Sequence, residues 1–379
     1  MKILIAHAYA GIGHKKAAEA IGKALLDSGA QVEVVDTLDY TNSFFKFSYP
    51  RVYLFLINRA PFLWGCLYYF FDFRLADFLC APVRRFFHDL QAARFIRFVI
   101  EKKPDVIVCT HFLPAEVVSA LKKKNLFNGR LITVITDFLP HSFWLARESD
   151  YFIGAIEKTK RGLMRRGIEE ERVKILGIPA DPVFSISKGR KAMIEKLGLR
   201  ENCFNLLIMG GGFGTGPVKG IVNTLSDLGS GVKNGLQIIV ICGKNKGLLE
   251  DLNKIGASSG IKISAFGYMN NVDEFMEASD LIITKSGGLT VSESLSKKLP
   301  MIIIQPIPGQ ETGNCKILEG YGVAVRANTV GQVVDHVRRF LAAPEKIIGM
   351  KARINLLAYP DAAKDIADLV VDLNANTRE

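Results

Sequence analysis

Two neighbouring stretches of the chain combine residue types that could bind a phosphorylated sugar. Ser286-Gly287-Gly288 lies between an apolar run, Leu281–Thr284, and a helix-forming run from Thr290 to Lys298. A glycine turn between a strand and a helix leaves backbone N–H groups unpaired at the positive end of the helix dipole. This spacing predicts a site for a phosphate or diphosphate.

The second stretch follows the next apolar run, Met301–Gln305, and reads Pro306-Ile307-Pro308-Gly309-Gln310-Glu311. In a parallel sheet both loops open at the same carboxyl edge. We therefore expect Gln310 and Glu311 to reach what the glycine turn binds. The predicted ligand has a diphosphate and a hydroxyl-rich end.

His14 is the candidate proton acceptor. It follows Gly11 and Gly13 in the turn after the first apolar run, Lys2–Ala6. The positive end of a helix dipole and the flanking Lys15 and Lys16 both disfavour the imidazolium, so we expect a lowered pKa and a neutral ring at pH 7. A neutral imidazole can take a proton from an attacking hydroxyl. The alternative is a surface or capping histidine.

Two further polar residues, Asp137 and His141, follow the predicted strand Leu131–Thr136. Sheets of this kind place ligand residues at the carboxyl ends of their strands. Asp137 is expected to orient or electrostatically support His14, and an N-cap role is the alternative.

The elements that must position these residues alternate as strands and helices along the whole chain, which predicts doubly wound α/β domains. Pro179 and Pro182 mark a linker. We predict a first domain over residues 1–181, a second over 182–355, and a C-terminal segment over 356–379. The last segment contains a helix, about Ala362–Leu373.

Two glycine-rich loops resemble known phosphate loops only in part. Gly210–Gly216 follows the predicted strand Asn205–Met209 but lacks the Lys-[Ser/Thr] ending of a P-loop. The opening pattern, from Gly11 to Lys16, lacks the third glycine of a dinucleotide fingerprint.

Residues 44–98 form an insertion of unusual composition, with 18 of the chain's 36 aromatic residues and eight Lys or Arg against three Asp. Its longest apolar run, Ala60–Phe71, is too short to span a bilayer, which needs about 20 residues. Aromatic rings mixed with arginines are typical of segments at a lipid interface. The alternative is that the rings fill the core of a helical insertion.

The composition limits the remaining possibilities. The six cysteines show no CxxC pair, which indicates reduced thiols, and the chain has neither a metal-binding motif nor an Asp-x-Asp sequence. The net charge of +11 favours an acidic partner, but no nucleic-acid-binding module is recognisable. The first apolar run is too short for a signal peptide, so we expect a cytoplasmic protein.

Four motifs occur in an order that resembles one enzyme family. They are GIGHKKAAEAI at Gly11–Ile21, TDxxxHxxW at Thr136–Trp144, MGGGFGTGP at Met209–Pro217, and Lys285–Glu293 followed by PGQExxN at Pro308–Asn314. The chain resembles the GT-B glycosyltransferases of family 28, in particular bacterial diglucosyldiacylglycerol synthases and plant monogalactosyldiacylglycerol synthases. The resemblance implies two Rossmann-like domains that face a cleft, with a C-terminal helix crossing back to the first domain.

The resemblance also implies roles for individual residues. His14 would be the catalytic base, with Asp137 as its support. The implied donor-binding residues are Gly210, Gly211, Gly212, Gly214, Phe266, Gly267, Ser286, Gly287, Gly288, Leu289, Thr290, Glu293, Gln310, Glu311 and Asn314. The implied acceptor or membrane residues are Gly11, Gly13, His141, Trp144, Trp64, Arg84 and Arg85.

Glu293 has two interpretations. In the family pattern the matching glutamate binds the ribose hydroxyls, and the backbone at Phe266 and Gly267 meets the uracil. Thr290-x-x-Glu293 is also a capping box, in which Glu293 would bond the start of its own helix.

The implied activity is inverting transfer of a hexose, glucose before galactose, from a UDP-sugar to diacylglycerol or a glycosyl-diacylglycerol. UDP-sugar is a substrate, and neither a cofactor nor a metal is expected. The protein would bind peripherally to the anionic inner face of the cell membrane. The alternatives are a UDP-GlcNAc transferase acting on a polyprenyl-linked peptidoglycan precursor and a non-catalytic, membrane-bound UDP-sugar sensor.

Overall fold

The computed structural model describes residues 1–9, 11–73, 79, 91–212, 214, 216–227 and 235–375. The chain forms two compact units. The first comprises Met1–Pro182, Ile307–Gly313 and Tyr359–Glu379, and the second comprises Val183–Pro306 and Asn314–Ala358. The short segment Ile307–Gly313 therefore groups with the first unit, although the sequence predicts it within the second domain.

The first unit is built on a parallel six-stranded sheet with the order β2-β1-β3-β4-β5-β6. Most of its strands are buried along their length, because helices cover both faces of such a sheet. The strands are β1 (Lys2–His7), β2 (Gln31–Asp36), β3 (Val106–Cys109), β4 (Arg130–Val134), β5 (Tyr151–Gly154) and β6 (Val173–Ile175). The helices are α1 (Ile12–Asp27), α2 (Ser43–Arg59), α3 (Pro61–Asp72), α4 (Ala93–Lys102), α5 (Phe112–Lys123) and α6 (Glu157–Met164).

The second unit repeats this architecture with the order β12-β11-β10-β7-β8-β9, again all parallel. Its strands are β7 (Phe204–Met209), β8 (Leu236–Ile241), β9 (Lys262–Phe266), β10 (Leu281–Thr284), β11 (Met301–Ile304) and β12 (Ala324–Ala327). Its helices are α7 (Arg190–Lys196), α8 (Val218–Ser226), α9 (Lys246–Ser258), α10 (Val272–Ala278), α11 (Gly288–Ser296), α12 (Gln310–Gly320), α13 (Val330–Ala342) and α14 (Glu345–Ile354). The first residues of α12 belong to the first unit.

The last helix, α15 (Ala362–Ala375), completes the core of the first unit. Ile366 and Val370 pack with Ile3 and Ile5 of β1 in one apolar cluster. Gly177 allows this return, because a Cβ there would lie 2.3 Å from the Cβ of Tyr359. The doubly wound α/β class and the returning helix are confirmed.

Over residues 43–72, the described first part of the aromatic insertion is helical and largely exposed. α2 has no buried residue and α3 has only Gly65. Phe44 and Phe62 are 80% and 82% exposed. Within the described ranges, no single helix is long and apolar enough to cross a membrane; α2 and α3 meet that test only together, as a pair bent by 116°.

Each sheet reverses its strand order next to its first strand, and these reversals position the candidate site residues. In the first sheet the reversal lies between β1 and β3, and in the second between β7 and β10. Ligands of doubly wound folds bind outside the carboxyl ends of the strands at such a point. His14 follows β1, whereas the loop at Gly210 follows β7 and the turn at Ser286 follows β10.

Candidate functional site

His14 lies in the first turn of α1, directly beyond the carboxyl end of β1. The helix begins at Ile12, earlier than the sequence predicts, because Gly11 occupies the N-cap position. Gly11 has an extended backbone, and a Cβ there would meet no atom within 4 Å. Neither conformation nor packing requires a glycine at this position, which leaves open space in front of the helix.

Threonine residues from two other strands fix the imidazole of His14. Nδ1 lies 2.8 Å from the carbonyl oxygen of Thr110, which follows β3, and 3.1 Å from the hydroxyl of Thr136, which follows β4. The Thr110 hydroxyl in turn donates to the His14 carbonyl. A carbonyl can only accept, so the proton of the neutral ring must be on Nδ1. Nε2 is then the basic nitrogen.

The environment of the ring keeps it neutral. Burial lowers the pKa of His14 to about 4; the bond to Thr110 opposes this shift, and His7 adds to it. The residue nevertheless keeps some exposed surface, so protein surrounds Nδ1 while the side chain remains accessible. The lowered pKa agrees with the prediction, but its main cause is burial, and Lys15 and Lys16 are not among the contributing groups.

Sequence reasoning missed Thr110, Thr136 and two histidines beside His14. The buried ring of His111 lies 4.6 Å from that of His14, and its Nδ1 caps α5 by accepting from the N–H of Leu113. His7 is also buried. A usable signal was present, because each of these residues follows or ends a predicted strand.

Asp137 is adjacent to Thr136, one of the two threonine residues that bond the His14 ring. After burial, Asp137 raises the pKa of Tyr68 and, together with Glu311, that of Tyr53. A role for Asp137 in orienting or supporting His14 stays a prediction.

His141 and Trp144 are buried. His141 accepts from the N–H of Phe143 through Nδ1 and bonds the Tyr68 carbonyl through Nε2, so it connects this turn to α3. Trp144 packs in the core with Phe152. Both side chains are buried, so neither makes direct contact with a membrane in this conformation, and a role for them in binding the acceptor stays a prediction.

The remaining predicted acceptor or membrane residues differ in position. Gly13 lies in the first turn of α1 beside His14. Trp64 of α3 is half-buried, with its ring 5.2 Å from that of Tyr53. Arg84 and Arg85 lie outside the described residues.

In the second unit, the turn after β10 exposes backbone atoms at the start of α11, without a side chain that caps them. Gly287 is the N-cap of α11, which begins at Gly288, with Leu289 and Thr290 in its first turn. A Cβ at Gly287 would meet no atom within 4 Å, and its φ of −64° is ordinary, so the fold does not require glycine there. The buried Asn314 holds the turn by donating to the carbonyl of Ser286.

The capping-box interpretation of Glu293 is wrong. Thr290 lies inside α11, since Gly287 is the N-cap, and no side chain caps this helix. Glu293 lies in the second turn and is half-buried. A role for Glu293 in binding the ribose stays a prediction.

The loop after β7 packs on the turn after β8. Gly211 and Gly214 have positive φ angles of 71° and 59°, and the Gly212 carbonyl accepts from the N–H of Lys244. The loop begins at Gly210, directly after β7. This placement brings the loop to the β7/β10 reversal.

Two other predicted donor residues end the neighbouring strand. Phe266 is the last residue of β9, and its carbonyl accepts from the N–H of Cys242. Gly267 follows it, close to the carbonyl of Gly243. Their contact with a uracil stays a prediction.

Gln310 and Glu311 begin α12 and belong to the first unit. A carboxylate oxygen of Glu311 accepts from the N–H of Ile307 and closes the loop that precedes the helix. Gln310 donates through Nε2 to the hydroxyl of Tyr53. Over the part of the chain that the structure describes, no group of three or more His, Cys, Asp or Glu is arranged to hold a metal ion.

Comparison with protein families matches both halves of the chain. Residues 14–180 match the model of monogalactosyldiacylglycerol (MGDG) synthase, and residues 205–366 match the glycosyltransferase family 28 C-terminal domain. The chain is 29% identical over 378 residues to proteins named processive diacylglycerol beta-glucosyltransferase from Bacillus cytotoxicus and Bacillus cereus. These alignments cover 98% of this chain and 94% of each relative.

Solved structures of similar fold support the predicted GT-B architecture. Acinetobacter baumannii MurG superposes with a TM-score of 0.64 at 17% identity, over 98% of this chain and 99% of that one. The UDP-GlcNAc 2-epimerase of Neisseria meningitidis, solved with UDP-GlcNAc bound, gives a TM-score of 0.61 at 14% identity, over 98% and 100%. At these identities the likeness establishes the fold alone.

Proposed function

Because this chain belongs to the glycosyltransferases that combine an MGDG synthase domain with a family 28 C-terminal domain, we propose that it transfers a hexose from a UDP-sugar to diacylglycerol or a glycosyl-diacylglycerol. The observation that carries the proposal is the pair of hydrogen bonds that Thr110 and Thr136 make with the ring of His14. They hold a neutral imidazole with Nε2 as the basic nitrogen at the β1/β3 reversal. A group of this kind is what removal of a hydroxyl proton requires.

In the proposed reaction, the acceptor hydroxyl attacks the anomeric carbon on the face opposite the diphosphate, which inverts the configuration. Nε2 of His14 takes the hydroxyl proton as the new C–O bond forms and the bond to the diphosphate oxygen breaks. UDP leaves with the electron pair of that bond. The N-terminus of α11, where no side chain caps the backbone N–H groups, stabilises the departing charge.

The proposed donor is a UDP-hexose, with UDP-glucose first. The support is the name of the Bacillus relatives, the UDP-GlcNAc bound to the similarly folded epimerase, and the open turn at Gly287. Since the helix terminus supplies the stabilisation of the leaving group, we propose that no metal takes part. Turnover should then persist in EDTA.

We propose that the reaction takes place at the anionic, cytoplasmic face of a membrane and that α2 and α3 make the contact. Large exposed apolar side chains mark interaction surfaces, and aromatic rings favour the headgroup region. α2 carries Phe44, Phe47 and Phe55 at the surface, with the guanidinium of Arg51 placed 3.4 Å from the centre of the Phe47 ring. This arrangement offers rings for the lipid interface and a cation for anionic headgroups.

The decisive experiment measures UDP release over a matrix of UDP-glucose, UDP-galactose and UDP-GlcNAc against diacylglycerol, glucosyl-diacylglycerol and polyprenyl acceptors in vesicles. The expected result is release that needs both UDP-glucose and a diacylglycerol-based lipid, with a β-linked product. Release only with UDP-GlcNAc and a polyprenyl lipid would replace the acceptor assignment. Binding of UDP-glucose without release for any lipid would indicate a sensor.

A further inference from the structure

α3 of the exposed helix pair packs tightly against the segment Ile307–Gly313. A Cβ on Gly65 would lie 2.7 Å from the Cβ of Pro308, and a Cβ on Gly309 would lie 2.7 Å from the Tyr68 ring. Gly309 also has a φ of +96°, a conformation that favours glycine. Glycines on both sides therefore allow the helix and the segment to approach closely.

A side-chain hydrogen bond joins α2 to the same segment. Gln310 donates through Nε2 to the hydroxyl oxygen of Tyr53 at 2.9 Å. The Tyr53 ring is held in turn by Trp64, which meets it edge to face at 5.2 Å. Both tyrosine and glutamine are half-buried, so this bond is shielded from water on part of its surface.

The other end of the Gln310 amide lacks a partner. Its Oε1 is buried and accepts no hydrogen bond from any described residue. Buried acceptors are almost always paired, and an exception calls for a ligand or a water. The unpaired oxygen of the Gln310 amide therefore points to a ligand that offers a hydrogen-bond donor at this position.

We propose that Tyr53 is a positioning residue for the donor sugar: it holds one atom of the Gln310 amide so that the other bonds a hydroxyl of the hexose. The inference rests on the proposed function, since it assigns a UDP-hexose as the ligand. A sugar hydroxyl both donates and accepts, so it satisfies either orientation of the amide.

The electrostatic setting suits a constant positioning role. Burial raises the pKa of Tyr53, and the carboxylates of Glu311 and Asp137 raise it further. The phenol thus stays protonated throughout the range in which the enzyme works. The hydrogen bond to Gln310 does not switch with pH.

The test compares Tyr53→Phe with Tyr49→Phe, which removes the hydroxyl of another half-buried tyrosine one turn earlier on α2. Dissociation constants are measured for UDP-glucose and for UDP, alone and in a Gln310→Leu background. Tyr53→Phe should raise the dissociation constant of UDP-glucose about 3- to 10-fold, the range expected for loss of one neutral hydrogen bond, and leave that of UDP unchanged. Tyr49→Phe should leave both dissociation constants unchanged.

The double variant separates positioning from folding. If Tyr53 acts through Gln310, Tyr53→Phe should have no further effect once Gln310 is leucine. Unchanged UDP-glucose affinity in Tyr53→Phe, an equal loss for UDP, or additive losses in the double variant would each overturn the inference. Wild-type protein that binds UDP-glucose with this dependence but glycosylates no lipid would instead contradict the proposed function alone.

Discussion

At the carboxyl ends of β1 and β3 in the first sheet, two hydrogen bonds with threonine residues fix one imidazole, whereas the carboxyl ends of β7 and β10 in the second sheet present glycine backbone. The Thr110 carbonyl determines which nitrogen of His14 carries the proton. Gly287 lies at the start of a helix with no atom near the position of a Cβ. The first arrangement suits the proposed transfer of a proton, and the second leaves room for a charged group beside the start of a helix.

The two edges also differ in what they require of the chain. A glycine turn and the helix after it are consecutive in sequence, so the backbone site is local. The hydrogen bonds of the His14 ring join it to Thr110, 96 positions later in the sequence, and to Thr136, 122 positions later. It follows that catalysis and donor binding should be separable by mutation, and five experiments can break or sharpen this division.

The largest effect is expected from His14→Ala. A base needed only in the transition state changes turnover and not donor affinity, so kcat should fall by about 10²–10⁴-fold with the Kd of UDP near that of the wild type. The matched control is His336→Ala, which removes a histidine of the second unit. A folded His14→Ala protein with more than about a third of wild-type kcat would exclude the base assignment.

Glu293→Ala should produce the reverse pattern in the second unit. Loss of charge-assisted hydrogen bonds to the ribose should weaken the binding of UDP by about 1.5–3 kcal/mol, which raises its dissociation constant roughly 10- to 150-fold, without lowering the melting temperature. The exposed Glu250 provides a matched control as Glu250→Ala. Calorimetric titration with UDP measures the effect, and unchanged affinity would remove Glu293 from the donor site.

The pH dependence of kcat/KM tests the environment of His14. The base works only when neutral, and burial lowers its pKa from 6.5 to about 4, so the acid limb should lie near pH 4. At pH 5.5 this predicts about tenfold more activity than a histidine of ordinary pKa would leave. A limb at pH 6.5 would show that the ring is not desolvated in solution.

The same shift links His14 to stability. Its folded pKa is lower than its unfolded pKa, so the unfolded state binds more protons between pH 6.5 and pH 4. The stabilisation is present above pH 6.5 and is lost as the pH falls through this window. Chemical denaturation across the window should show a shallower decline for His14→Ala than for wild type.

The smallest effect is expected at the aromatic helices. Phe44→Ser with Phe62→Ser should weaken binding to anionic vesicles by about 3- to 10-fold, because two exposed rings lose their contact with the interface. Tyr268→Ser alters an exposed aromatic residue of the second unit and should leave binding unchanged. Equal co-sedimentation of all three proteins would contradict a membrane role for α2 and α3.

The strands and the glycine turns are predictable from the sequence because each is a local or periodic pattern, whereas the return of the last helix is implied by the family resemblance. Short apolar runs such as Leu281–Thr284 read directly as buried strands. Two helix starts were placed too late, at Lys15 and Thr290. A glycine N-cap, as at Gly11 and Gly287, has no side chain to reveal it.

The hydrogen-bond partners of the site residues cannot be predicted from local sequence patterns. Nothing near His14 in the sequence indicates Thr110, and Tyr53 lies 257 positions before Gln310. Such contacts depend on strand order and on how closely helices approach. The burial of Trp144, which the resemblance implies as an acceptor or membrane residue, has the same origin, since it follows from the packing of the turn that contains it.

The return of α15 to β1 has a consequence for biosynthesis. Ile366 and Val370 complete a core that begins with Ile3 and Ile5, so the contacts of this core span nearly the whole polypeptide. Domains usually fold as they leave the ribosome, the N-terminal one first. Here the N-terminal unit cannot close its core until the final helix has been translated, while the second unit has its residues available earlier. Ribosome-bound chains that end at Ala358 and carry a linker long enough to clear the exit tunnel should therefore be protease-resistant over Val183–Pro306 and sensitive over β1 and α1.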